Sequence, residues 1–199
     1  MNTEKLFVLL ALFGICSCHN DDVKNTYTLS GKVNSVLFWH LLPNFEMDID
    51  TFQFAVDLIS DDQIIATSDD TFFTFTGLEE GRSYIILPEQ LGTDREGMTA
   101  LDYAMIDHYI REGDGLDAFQ KLAADVNRDN LIDSTDLELI LNCILDTDQC
   151  FNWRFATDDY DGNGLGQADQ YVINNLMSDV GIHFIPINTG DITGTHNPH

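Results

Sequence analysis

The chain predicts an α+β fold in two domains, a small antiparallel β-sandwich followed by a helical, loop-rich domain. Three observations carry this. Apolar and polar residues alternate with period two between residues 26 and 90, and after Pro88 the apolar spacing changes to 3.6. The stretch "DVNRDNLIDSTDLELIL" (125–141) then places acidic and amide side chains on alternate loop positions ahead of an apolar helical stripe.

Taken in order, the first element is a targeting segment. "LFVLLALFGI" (6–15), behind Lys5, is too short to span a bilayer and has the length of a signal-peptide core. It runs into "ICSC", which resembles the bacterial lipoprotein cleavage box. That resemblance implies residues 1–18 as the signal segment, Cys18 as the lipid-bearing residue and 19–25 as a polar tether. The acidic pair behind Cys18 resembles the surface-export signals of Bacteroidetes lipoproteins, which implies an exported, lipid-anchored protein at the outer membrane or cell surface. An ordinary cleaved signal with incidental cysteines is the alternative.

Composition narrows the function classes. The 199 residues hold 34 acidic against 9 basic side chains, a formal charge of −25, so a nucleic-acid backbone would be repelled. With 13 Phe, 6 Tyr and 2 Trp the chain can bury a core.

Five strand-like stretches follow: "TYTLSGKVNSVLF", "DTFQFAVDLI", "QIIATS", "DTFFTFTGL" and "RSYIILP", separated by turn signals. Strands at this spacing argue for a sandwich over 26–90. The stretch "SDDTFFTFTGLEEGRSYIILPE" resembles the end of carboxypeptidase-regulatory-like and prealbumin-type domains. Phe73, Phe75, Gly77, Leu78, Gly81 and Tyr84 occupy the places of that motif. The resemblance implies a spacer or stalk.

The helical domain, 91–195, is read from four apolar stripes at 98–110, 117–126, 134–145 and 166–177. Residues 196–199 are a tail. Cys143 and Cys150 flank "ILDTDQ", and in an exported chain they are expected to form a disulfide that pins the helix end. A small helical core is thin and needs such staples.

The loop at 125 supplies another. Numbered from Asp125, side-chain oxygens fall at positions 1 (Asp125), 3 (Asn127), 5 (Asp129), 9 (Asp133) and 12 (Asp136), with the Leu131 carbonyl at 7. Packed without a cation, such charges repel by about 1 kcal/mol or more per close pair. The spacing is that of an EF-hand loop wrapped around calcium, with Ile132 pointing inward at position 8. Asn130 stands where glycine is usual, a residue that accepts the left-handed conformation. Asp136 at position 12, in place of Glu, is what dockerins use, and the whole stretch resembles a dockerin repeat. More broadly, "GMTALDYAMIDHYI", "LAADVNRDNLIDSTDLELI", "WRF" (153–155) and "TGDITG" (189–194) resemble a dockerin-like module of Bacteroidetes surface proteins. The resemblance implies calcium as cofactor and a protein partner such as a cohesin, with Ser134 and Thr135 at the recognition helix. Thr135 with Glu138 alternatively has the form of a capping box.

Two further cation sites are expected. In "DYDGNGLGQAD" (159–169), Asp159, Asp161 and Asn163 sit at positions 1, 3 and 5, and a one-residue deletion makes Asp169 the terminal ligand at a helix start. An acidic turn without metal is the alternative. "GTDREGMTALDYAMI" (92–106) looks like the back half of a loop ending at Asp102, whereas "TGDITG" looks like a front half with Asp191 and Thr193 at positions 1 and 3. The two halves are expected to meet, Asp102 and Asp191 sharing one ion, with Asp94 in support. The bland alternative is a helix cap at Asp102 and a turn at Asp191.

No nucleophile elbow, HExxH or phosphate loop is present, and the sequence reads as non-catalytic. It reads as a surface lipoprotein whose dockerin-like module assembles with proteins, with polysaccharide-degrading machinery as the expected setting. The alternative is a carbohydrate-binding accessory lipoprotein of a glycan-uptake system, with Trp39, Trp153 and Phe155 able to stack on sugars.

Overall fold

The computed structural model describes residues 24–33, 53–91, 98–145, 153–162, 165 and 168–194. Five strands come first: β1 (Thr26–Val33), β2 (Gln53–Ser60), β3 (Gln63–Ser68), β4 (Phe72–Glu79) and β5 (Tyr84–Leu91). Helices α1 (Ala100–Glu112), α2 (Ala118–Ala124) and α3 (Ser134–Leu145) follow, and then β6 (Arg154–Thr157), β7 (Tyr171–Ile173) and β8 (Val180–Ile187). The two parts expected, β-sandwich and helical region, are both present.

Local sequence explains the early strands. Ser60 pairs with Gln63 across Asp61 and Asp62, both at positive φ (52° and 59°), so a two-residue turn whose twist suits a hairpin joins β2 to β3. In β4, Phe73, Phe75 and Leu78 are buried, and Gly77 at φ 74° lets the inward face resume at Leu78. Tyr84 is buried, and its hydroxyl accepts the Glu79 N–H across the β4–β5 turn at 3.0 Å.

The sandwich is not complete at residue 90. One sheet has the order β4-β1-β8-β6 and the other β3-β2-β5-β7. Strand β8 runs parallel to β1, Leu29 opposite Val180 and Val33 opposite Phe184. The boundary at 90/91 therefore marks where helical spacing begins and not where the sandwich ends. The helix expected over 166–177 does not form. Its "YVI" pairs antiparallel with β5, Tyr84 opposite Ile173, because aromatic and β-branched side chains suit a pleated surface and the edge of β5 offers backbone partners.

Period two in β6 and β8 joins the parts. Trp153, Phe155, Ile182 and Phe184 enter the sandwich core beside Leu29, Phe54 and Phe73. Their strand neighbours Ala156, Ile185 and Ile187 enter the helical core beside Ile106, Leu122 and Ile140. Successive side chains of a strand point to opposite faces, so these two strands wall both cores at once.

Candidate metal centre

Loop 125–136 connects α2 to α3. Asp117 caps α2 by accepting the Gln120 N–H (2.8 Å), while the Gln120 side chain accepts the Asp117 N–H (3.0 Å), and the helix ends at Asp125. Asn127 Oδ1 accepts from Asp129 N, Asp129 Oδ1 from Leu131 N and Asp133 Oδ1 from Thr135 N, at 2.7–3.0 Å. Asn130 adopts φ 70°, the left-handed conformation expected at position 6. Ile132 packs against the helical core, and Leu131 is exposed.

Asp136 is fully buried at the first turn of α3. Its Oδ1 accepts the Val126 and Asn127 amides (2.8 and 3.3 Å), and its Oδ2 accepts that of Asp133 (2.9 Å). Asp133 and Asp136 thus cap the helix, the role that the sequence allowed for Thr135 with Glu138. Ser134 and Thr135 are exposed. Burial pushes the Asp136 carboxyl above the usual range, and the charge of Asp125 adds to this against the three amides.

Asp125 is fully buried too. Its Oδ2 takes an ion pair from Arg154 Nη1 at 3.1 Å, while its Oδ1 is buried without a hydrogen-bond partner among the described residues. A carboxylate oxygen in that state suits a hard cation, and the oxygen-only donors of the loop match calcium. Among the described residues no three carboxylate, thiolate or imidazole groups already converge as a metal-holding set. Asp129, Asp133 and Asp136 are instead turned to backbone amides of the loop and the start of α3.

The two separated half-loops do meet. Asp102 and Asp191 are both buried, and Thr193 Oγ1 lies 2.9 Å from Asp102 Oδ1 and 3.2 Å from Asp191 Oδ1. The hydrogen bonds repeat those of the continuous loop. Asp102 Oδ1 accepts from Thr193 N at position 3, as Asp136 Oδ1 does from Asn127 N. Asp102 Oδ2 accepts from Thr99 N at position 9, as Asp136 Oδ2 does from Asp133 N. Capping of α1 and contact with the C-terminal segment are therefore served by one carboxylate.

The loop at 159–169 departs from the expectation at its far end, where Asp169 does not start a helix. Asp159 and Asp161 are exposed and line a cavity of about 560 Å³ with Tyr160 and Tyr171. Asp169, the expected terminal ligand, has both oxygens in contact with β6. Its Oδ1 accepts the Phe155 N–H (2.9 Å) and its Oδ2 faces Arg154 Nε (3.2 Å). It stands at φ 77°, and no helix begins there to favour a carboxylate, because 171–173 is strand. Sequence reading left Arg154 unassigned inside "WRF". Trp153 and Phe155 are core residues edge-on to Phe54, so neither can stack on a sugar. Cys143 is disulfide-bonded. Cys18, Trp39, Asp94, Cys150 and Asn163 lie outside the described residues.

The loop, its two helices and α1 are also what comparison with known proteins singles out. Residues 97–145 match the family model of the dockerin type I domain. Dockerin type I domains bind calcium, and their partners are of the cohesin type. The match spans α1 to α3 and stops before the strands that close the sandwich. No curated protein matches the chain. Two solved chains of the pilus-presented adhesin Spy0125 (Cpa), one a cysteine-to-alanine mutant, align over 83% of this chain at 13% and 11% identity. Their TM-scores are 0.31 and 0.28, and the aligned part is 27% of the adhesin chain, a likeness that carries no argument here.

Proposed function

We propose that the protein is a non-catalytic surface lipoprotein in which the sandwich is a stalk for a dockerin-like, calcium-binding assembly module. The observation that carries the calcium reading is Asp125 Oδ1, a buried carboxylate oxygen without a partner among the described residues, at position 1 of a loop matched by the dockerin type I model. Asp125, Asn127, Asp129, Asp133, Asp136 and the Leu131 carbonyl would hold the ion. Calcium supplies a compact double charge that offsets the repulsion among four loop carboxylates. The residues' own part is to cap α3 and to keep its first turn against Val126 and Asn127.

A second ion is proposed at Asp102 and Asp191. Its support is the repetition of the continuous loop's hydrogen bonds across the two chain segments. Asp159 and Asp161 are exposed and are not part of this proposal. Ser134 and Thr135, exposed at the start of α3, are proposed as contacts for a cohesin-type protein, and Cys18 as the lipid anchor at the outer membrane. A place in polysaccharide-degrading machinery is part of the same proposal.

Calorimetric titration of the full chain tests the reading. Two calcium ions are expected, one lost in Asp125→Ala and the other in Asp102→Asn. At a thousandfold excess over Kd, calcium binding adds about 4 kcal/mol of stability, so chelator should lower Tm by several degrees. A melting curve indifferent to chelator refutes it. A partner that co-purifies from outer membranes with calcium and is released by chelator identifies the assembly role.

A further inference from the structure

We infer that Arg154 is a built-in cation of loop 125–136, which holds Asp125 in the calcium-free chain and lowers the affinity of the loop for calcium. The inference rests on the calcium reading of that loop and adds a residue from outside the dockerin match. Arg154 belongs to sandwich strand β6, opposite Ile187 of β8, and is only 2% exposed. Each of its three guanidinium nitrogens has a partner. Nη1 pairs with Asp125 Oδ2 (3.1 Å), Nε with Asp169 Oδ2 (3.2 Å), and Nη2 donates to the Leu165 carbonyl (2.6 Å).

A buried arginine between two carboxylates neutralises charge that would otherwise be costly to bury. Asp125 is the carboxylate at position 1, so without calcium this one side chain removes part of the loop's self-repulsion. With calcium, the same carboxylate is shared: Oδ2 stays with Arg154 and Oδ1 is available for the ion. Two effects then oppose each other. An outer partner that fixes the orientation of a ligand raises affinity about 10–100-fold. A positive charge within about 6 Å of a dication, at an effective dielectric near 20, lowers it on the order of 10⁴-fold before compensation. Asp169, on the same guanidinium, returns part of that loss. The repulsion remains the larger effect, so Arg154 weakens calcium binding while it steadies the calcium-free fold.

The test is calcium affinity of the full chain, measured by competition with a chelator of known Kd, starting from protein folded in calcium. Arg154→Met removes the charge, and Asp169 keeps a cation nearby because Arg128 Nη1 stands 3.9 Å from it. The Met variant is expected to bind calcium at least tenfold more tightly, to melt lower than the parent without calcium, and to gain more in Tm on adding it. Arg154→Lys, which keeps the charge, should stay within about threefold of the parent. Equal or weaker binding by a folded Met variant overturns the inference. If Met fails to fold even in calcium, Arg154→Gln is measured instead, and failure of both shows a purely structural arginine. Parent protein that binds calcium, with neutral variants no tighter, refutes the role of Arg154 alone. Absence of binding in parent and variants alike refutes the loop reading itself.

Discussion

Replacing Ile187 with alanine tests whether the sandwich and the helices share a wall. Ile187 is fully buried, and its side chain lies in the helical core with Ile106, Leu122 and Ile140, although its backbone belongs to a sandwich sheet opposite Arg154. Ile→Ala deletes three carbons, about 2.4 kcal/mol at ~0.8 kcal/mol per carbon, and a partly unrelaxed cavity brings the total to about 4 kcal/mol. For a chain of this size that is about 10 °C in Tm. The informative measurement uses two probes in a Trp39→Phe background: far-ultraviolet circular dichroism, and fluorescence of Trp153, which sits in the other core. Both transitions should fall together by the same amount. A Trp153 transition left in place while the helical signal melts early would refute the shared-wall account and show two independently folding parts.

Gly31→Ala should prevent β1 from pairing with β8, because the added Cβ would meet the Ile182 carbonyl oxygen at 2.0 Å and the Phe73 ring at 2.5 Å. Overpacking of this kind costs about 1–3 kcal/mol or more, read as a lower urea midpoint. Asp136 makes calcium-free stability pH-dependent. Its carboxyl is raised, chiefly by burial, so its contribution is full below the ordinary carboxylate pKa and is lost as pH rises through the raised value. In calcium-depleted buffer the Tm of the parent minus that of Asp136→Asn should therefore decline between pH 4 and pH 7. A flat or rising difference contradicts the assignment.

Much of this protein is local and was legible from residue order. Alternation placed β1 to β5, 3.6 spacing placed α1 to α3, and the oxygens at 1, 3, 5, 9 and 12 marked a loop whose Asn130 does take the left-handed turn. Even the meeting of Asp102 with the C-terminal segment was visible, because each half-loop lacked what the other had. Apart from that last contact, which joins residues 91 positions apart, these features depend on neighbours within about a dozen residues, where backbone periodicity and side-chain spacing act directly. Tertiary structure decided the rest. "YVI" carries an apolar spacing that serves a helix or a strand, and the edge of β5 selected strand. Asp169 has the spacing of a ligand, and tertiary structure also sets it against a buried arginine 15 positions earlier. Strand β8 completes a sheet begun some 150 residues before it, with one face in each core. Such choices turn on which partner burial brings within 3 Å, and chain order alone does not specify that distance.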